Sequence, residues 1–142
     1  MSADAVKPDG VIDASQEDVV ARVLELTGGR GADVIITATP ANITQEQAVA
    51  MAARNGRISF FGGLPKTDPT ITLDSNVVHY RQLHIHGTNG SAPAHHKRAL
   101  EYISTGQIPV KDLITRHVPL EQALEAFDIV ARGEAIKVTV EP

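Results

Sequence analysis

ADVIITATP, Ala32 to Pro40, is a run of small and β-branched residues without helical spacing. It reads as a strand, and the lack of polar alternation predicts burial on both faces, as in parallel sheets of α/β proteins. Pro40 has no N–H to give to a ladder, so the strand ends at Thr39.

Helical patterns flank this strand. Upstream, Ser15 and Asp18 are spaced as in a capping box, Val19, Val20, Val23 and Leu24 repeat at helical intervals, and Thr27-Gly28-Gly29 ends the run. Downstream, Thr44 and Gln47 form a second such pair, Ala48, Val49, Met51 and Ala52 continue a helix, and Asn55-Gly56 suits a left-handed stop. RISFFGGLP (Arg57–Pro65) is the next strand. PTITLD (Pro69–Asp74) alternates as a more exposed strand does, QLHIHG (Gln82–Gly87) is another candidate, and GVID (Gly10–Asp13) is a short apolar piece before the first helix.

Ser91 then opens a helix to about Thr105, with Gly106 at its end. ITRHVPL is short and extended, Leu120 to about Arg132 is an amphipathic helix closed by Gly133, and AIKVTVEP finishes as a strand. Strands separated by helices of about ten residues argue for βαβ units in a doubly wound, mainly parallel α/β sheet.

Bulk properties narrow the partners. A chain of 142 residues suits one sizeable core, and 42% apolar with 21% charged residues is ordinary for a globular protein. The formal charge is −4 with scattered basic residues, which speaks against nucleic acid or an anionic membrane surface. No apolar stretch approaches the roughly 20 residues of a membrane span. Asp4, Asp9, Asp13, Glu17 and Asp18 crowd the start, with no apolar run for a secretory signal, so a cytoplasmic location is the expectation. The absence of cysteine excludes disulfides, thiolate zinc sites and cysteine nucleophiles within this stretch.

Ligands of parallel sheets sit beyond the carboxyl ends of the strands. Here those ends read Thr37-Ala38-Thr39-Pro40, Gly62-Gly63-Leu64-Pro65 and Gly87-Thr88-Asn89-Gly90. Two readings fit: short turns that favour small residues, or three tips where backbone approaches a ligand. His84 and His86 share one strand face, the spacing a shared metal needs, but no third ligand is near in sequence and a structural or interface role is favoured. His95-His96, followed by Lys97-Arg98, reads as a solvated helix face. No nucleophile elbow, G-x-G-x-x-G or phosphate-binding loop occurs, and no catalytic or metal residues are assigned.

The succession EDVVARVLELTGGRGADVIITAT, MAARNGRISFFGGLP and LEQALEAFDIVARGEAIKVTV resembles the C-terminal part of medium-chain, zinc-type alcohol and polyol dehydrogenases, nearest to sorbitol, iditol and threonine dehydrogenase-like members. The resemblance runs from about Gly10 to Val140. It implies a partial Rossmann-type sheet holding the equivalents of strands 3 to 6, with Gly10–Asp13 as strand 3 and Ala32–Thr39 as strand 4. Residues 1–114 would form the second half of a dinucleotide-binding domain, and 115–142 a tail that in the family returns to the catalytic domain.

The same resemblance implies NAD or NADP as cofactor. Thr37, Ala38 and Thr39 fall where the family borders the adenosine part. Gly62, Gly63 and Leu64, and then Gly87, Thr88 and Asn89, fall near the nicotinamide, and Lys137 falls near the pyrophosphate. Thr70–Asp74 matches the strand through which such subunits join their sheets, so a homo-oligomer through it and through an exposed Ala32–Thr39 edge is expected. The first Rossmann strand, its glycine-rich turn, the ribose-reading acid and the zinc-bearing domain are all expected upstream of Met1, with zinc only there. The implied function is a cofactor-domain fragment of a zinc-type NAD(P)-dependent dehydrogenase, catalytically incomplete alone. A non-catalytic self-association module, or a fragment of a zinc-free quinone-reductase-like enzyme, are the alternatives.

Overall fold

A computed structural model describes residues 8–142. The segment before them, part of the acidic start read above as carrying no secretory signal, lies outside the described residues. The chain divides into two compact units, Ile12–Gly90 and Ser91–Pro142, the second including the described residues before Ile12.

The first unit runs α1 (Val19–Leu26), β1 (Ala32–Thr37), α2 (Asn42–Met51), β2 (Ala52–Phe60), α3 (Ser75–Arg81) and β3 (His84–Gly87). Its three strands are parallel in the order β1-β2-β3, so each ladder is crossed by a helix and the α/β, parallel expectation holds. Ile35, Ile58 and Ile85 stand in one cross-strand row. Ala48 and Val49 of α2 and Val77 and Val78 of α3 pack over that face, and Ile58 at its centre is 0% exposed.

The other face differs from the expected two-sided burial. Val34 and Ile36, one residue out of phase in β1, remain 55% and 63% exposed. No described helix covers them, because α2 and α3 both occupy the Ile58 side. The strand also ends at Thr37 rather than Thr39.

Several boundaries move for local reasons. Gly10–Asp13 forms no strand: Val11 is 65% exposed, and no described strand pairs with it. Asp18, not Ser15, caps α1 by accepting from the Ala21 N–H at 3.0 Å. Ser15 is held one turn earlier, where its hydroxyl donates to Asp13 at 2.7 Å. That bond, first, holds the Asp13 carboxyl below its ordinary value. The Thr44–Gln47 pair is no capping box, since α2 starts at Asn42 and the Thr44 hydroxyl turns back to the Ala41 carbonyl at 2.7 Å.

Asn55-Gly56 does not end a helix. The helix α2 passes directly into β2 at Met51–Ala52, and Asn55 sits inside the strand at φ 60°. The ladder register jumps there from Ala32↔Ala52 to Val34↔Arg57, so this pair builds a bulge. The abrupt helix-to-strand junction is closed by Arg81, whose guanidinium donates to the carbonyls of Ala50 and Ala52, each at 2.9 Å.

Thr70–Asp74 is extended without being a strand. Asn42 Nδ2 donates to the carbonyls of Asp68 and Thr70, at 3.2 and 2.7 Å, and Glu46 accepts from the Thr72 N–H at 2.9 Å. Side chains of α2 therefore stand in for a ladder. The helix α3 follows at once, capped by Asp74, and is ended by Gln82 in the left-handed region at φ 55°, which delays β3 to His84.

The second unit holds α4 (Pro93–Ser104), β4 (Arg116–Pro119), α5 (Ala123–Ala131) and β5 (Val138–Glu141), with β4 and β5 paired in parallel. Ala92 rather than Ser91 precedes α4, and Leu120–Gln122 is a separate 3-10 turn before α5. Its buried residues are few: Val118, Ala126 and Ile129. No described helix is long and apolar enough to cross a membrane.

Candidate functional site

The register Thr37↔Phe60↔Gly87 brings the ends of β1, β2 and β3 level, so the segments that follow emerge from one edge of the sheet. The structure thus collects nine of the ten sequence-derived site residues, Thr37–Thr39, Gly62–Leu64 and Gly87–Asn89, within the first unit. The tenth, Lys137, is an exposed residue of the second unit, where its carbonyl receives the N–H groups of Thr115 and Arg116.

The first two tips are locked together. The Gly62 N–H donates to the Thr37 carbonyl at 2.7 Å, and Gln45 Nε2 donates to the Gly62 carbonyl at 3.2 Å. A Cβ on Gly62 would lie 2.7 Å from the Thr39 carbonyl oxygen and 2.9 Å from its nitrogen. Glycine is therefore required at 62 by the neighbouring backbone, before any ligand is considered. Gly63 is the opposite case, because a Cβ there meets nothing within 4 Å.

The third tip is tied to the second by the Thr88 N–H, which donates to the Phe60 carbonyl at 3.3 Å, and by the Ser59 and Thr88 hydroxyls 3.5 Å apart. A Cβ on Gly87 also meets nothing. At the first tip the Thr39 hydroxyl lies 3.0 Å from that of Thr44. Thr44 already donates to Ala41, so Thr39 is the donor between them.

Sequence reasoning missed Gln45, Thr44 and Ser59. Gln45 is a buried polar side chain whose amide joins the tips, and nothing in a helical NITQEQ marks it in advance. Thr44 was read as a cap, although the same hydroxyl geometry serves the tip.

The three tips carry no ionisable side chain, and the clear pKa shifts lie elsewhere, at Asp13, Arg22, Arg132 and Glu134. The arrangement offers backbone groups, three threonine hydroxyls, of which that of buried Thr37 already donates to the Ser59 carbonyl at 3.4 Å, one asparagine amide and two positions open to close approach. These groups can donate and accept hydrogen bonds but carry no acid–base chemistry of their own. His84 and His86 point to the open face with parallel rings 6.3 Å apart. Among the described residues no three His, Asp or Glu side chains converge on a metal position.

The profile of the family described as zinc-binding dehydrogenase matches residues 5–105. The sorbitol dehydrogenase of Halalkalibacterium halodurans is 26% identical over 134 residues, covering 94% of this chain and 38% of that protein. The L-threonine 3-dehydrogenase of Bacillus velezensis is 31% identical over 134 residues, covering 92% and 38%. The crystal structure of an alcohol dehydrogenase from Thermotoga maritima has a TM-score of 0.86 at 24% identity, over 99% of this chain and 39% of that one, a likeness of fold. A structure described as an NAD-dependent alcohol dehydrogenase has a TM-score of 0.81 at 26% identity, over 99% and 40%. The chain spans a little over a third of the length of these relatives.

Proposed function

The chain belongs to the zinc-binding dehydrogenase family, an oxidoreductase family, and from that premise we propose that its three strand-end tips form the sheet-edge part of an NAD(P)-binding site. The carrying observation is the fixed gap between required and unrequired glycines. Gly62 is consumed by packing against Thr39, whereas Gly63 and Gly87 border open space where a planar ring can approach the backbone. The residues present fit part of the cofactor. Thr37–Thr39 would line its adenosine end, and Gly62–Leu64 with Gly87–Asn89 its nicotinamide end. When bound, the dinucleotide supplies hydride chemistry. The part of this chain is to hold it by backbone and hydroxyl hydrogen bonds.

Zinc does not fit these residues: the chain has no cysteine, and no three-ligand cluster exists among the described residues. The proposed role is accordingly cofactor positioning, with residues 1–114 serving that site, 115–142 reaching toward a catalytic domain, and turnover absent from this chain alone. Amide chemical-shift mapping with millimolar NAD+ or NADP+ tests it. Shifts confined to the three tips are expected; saturating dinucleotide that moves none of them, in this chain or in the chain grafted into a relative's full-length enzyme, refutes the assignment.

A second reading rests on a separate observation. The strand β1 pairs on one side only among the described residues, and Val34 and Ile36 are exposed beside that edge. These features support self-association through β1, with the extended Thr70–Asp74 segment as a second seam. Sedimentation velocity separates the readings, since an oligomer unaffected by dinucleotide favours the assembly role.

A further inference from the structure

His84 and His86 alternate with Ile85 in β3, so both imidazoles project from the same face of the sheet. Ile85 turns the opposite way, completes the Ile35–Ile58–Ile85 row and packs against the core. That packing holds the backbone of β3, and with it the spacing of the two histidines. Their rings are parallel, with centres 6.3 Å apart, and both residues are exposed. An exposed face gives neither ring a packing task.

The chain has six histidines, and the other four are engaged elsewhere. His79 packs edge-on against Tyr80. His95 Nδ1 accepts the Ala92 N–H at 3.1 Å, and His96 Nε2 lies 2.8 Å from Ser91 Oγ. His117 Nδ1 is shared by Thr139 Oγ1 at 2.8 Å and Glu141 Oε1 at 3.0 Å. His95 and His96 are also consecutive in α4, and consecutive residues do not share a helix face. Among the described residues, His84 and His86 are the two imidazoles that face each other, and neither ring is held by a hydrogen bond.

We infer that His84 and His86 chelate a divalent late transition metal ion, Cu2+ above the others, on the open face of β3. Ring nitrogens that share one ion must each come within about 2.1 Å of it. The two exposed rings reach that by tilting toward each other, with no movement of the strand. Two imidazoles do not close the four-ligand shell of a structural zinc, which agrees with the poor fit of zinc to this chain. They suit an ion that keeps water in its remaining positions, and Cu2+ heads the affinity order for nitrogen ligands. Arg57 lies opposite His84 in the ladder and puts a cation beside the ion. Its side chain is exposed and can extend into water, so it weakens the site without filling it.

The test is calorimetric titration of the whole chain with CuCl2 at pH 7.5, joined to proton NMR. His84→Gln and His86→Gln should each weaken the binding about 100-fold, the lower end of what a second ligand on one scaffold adds. His95→Gln and His96→Gln should leave it unchanged. Arg57→Gln, which removes no ligand, should tighten it roughly two- to five-fold, the size of one exposed charge pair. Substoichiometric Cu2+, being paramagnetic, should broaden the ring signals of His84 and His86 before any others. Wild-type affinity in either His84→Gln or His86→Gln overturns the inference, as does broadening centred on His95 and His96. An affinity that Arg57→Gln leaves unmoved places the ion away from this ladder and overturns it too.

Discussion

The row Ile35–Ile58–Ile85 and the row Val34–Arg57–His84 are neighbours in the same three strands, set one residue apart. The first is sealed under α2 and α3, and the second lies open, along with Ile36, Ser59 and His86 one pleat further on. Side-chain alternation makes the two faces chemically comparable at β1, which offers Val and Ile to the open side and Ile to the closed one. What separates them is the position of the helices. Burial in this sheet is therefore a property of what packs on it, and the apolar run in β1 is written for more cover than the described residues supply.

The largest effect expected from that contrast is at its centre. Ile58→Ala should cost about 2–5 kcal/mol, the range for emptying a sealed core position. Ile36→Ala on the open face should cost under about 0.5 kcal/mol. Urea unfolding of both variants measures the contrast. If assembly covers the open face, as the second reading holds, Ile36→Ala becomes concentration-dependent and approaches the larger figure, which would break the comparison in an informative direction.

Next come the paired glycines. Gly62→Ala forces the Thr39 backbone away from a contact of 2.7 Å and should destabilise by roughly 1–3 kcal/mol. Gly63→Ala enters open space, so its stability should stay within about 0.5 kcal/mol of wild type while the dinucleotide-induced shifts at the tips weaken. Equal unfolding midpoints for the two variants would contradict the division between a packing glycine and a ligand-facing one.

How much of this was readable beforehand follows from the same physics. The apolar runs of β1 and β2 announced the parallel sheet, and the small residues after them announced the tips, because both signals are local. The exposure of Val34 and Ile36 was not readable, since a run of β-branched residues states a preference for cover and not its presence. Asn55-Gly56 was misread for a related reason. A left-handed residue followed by glycine is the same signal at a helix end and in a bulge, and only the Val34↔Arg57 register tells them apart. Gln45 was invisible because its partner, the Gly62 carbonyl, is 17 positions away.

A smaller effect is expected where side chains replace a ladder. Asn42→Ala removes two donations, to Asp68 and Thr70, and should cost about 0.5–1.5 kcal/mol. Its clearer signature is faster amide exchange through residues 68–74, with the Ile58 face unchanged. Exchange that speeds up equally at Ile58 would mean that the segment is part of the core and not an appendage of α2.

The smallest effect belongs to the second unit. The Arg132 guanidinium forks onto Glu134, and this hydrogen bond, with the charge of Arg116 adding a little, holds the Glu134 carboxyl below its ordinary value. Arg132 is raised in turn, first by its bond to Glu134. A depressed carboxyl gives stability that is present above the carboxylate range and lost as pH falls through its folded value. Both side chains are solvent-accessible, so the contribution is slight and should fade in 1 M salt. Glu134→Gln should flatten whatever slope the second unit shows below about pH 4.5, the carboxylate range. A slope that survives Glu134→Gln unchanged would mean that the Arg132–Glu134 fork plays no part in the acid response of the unit.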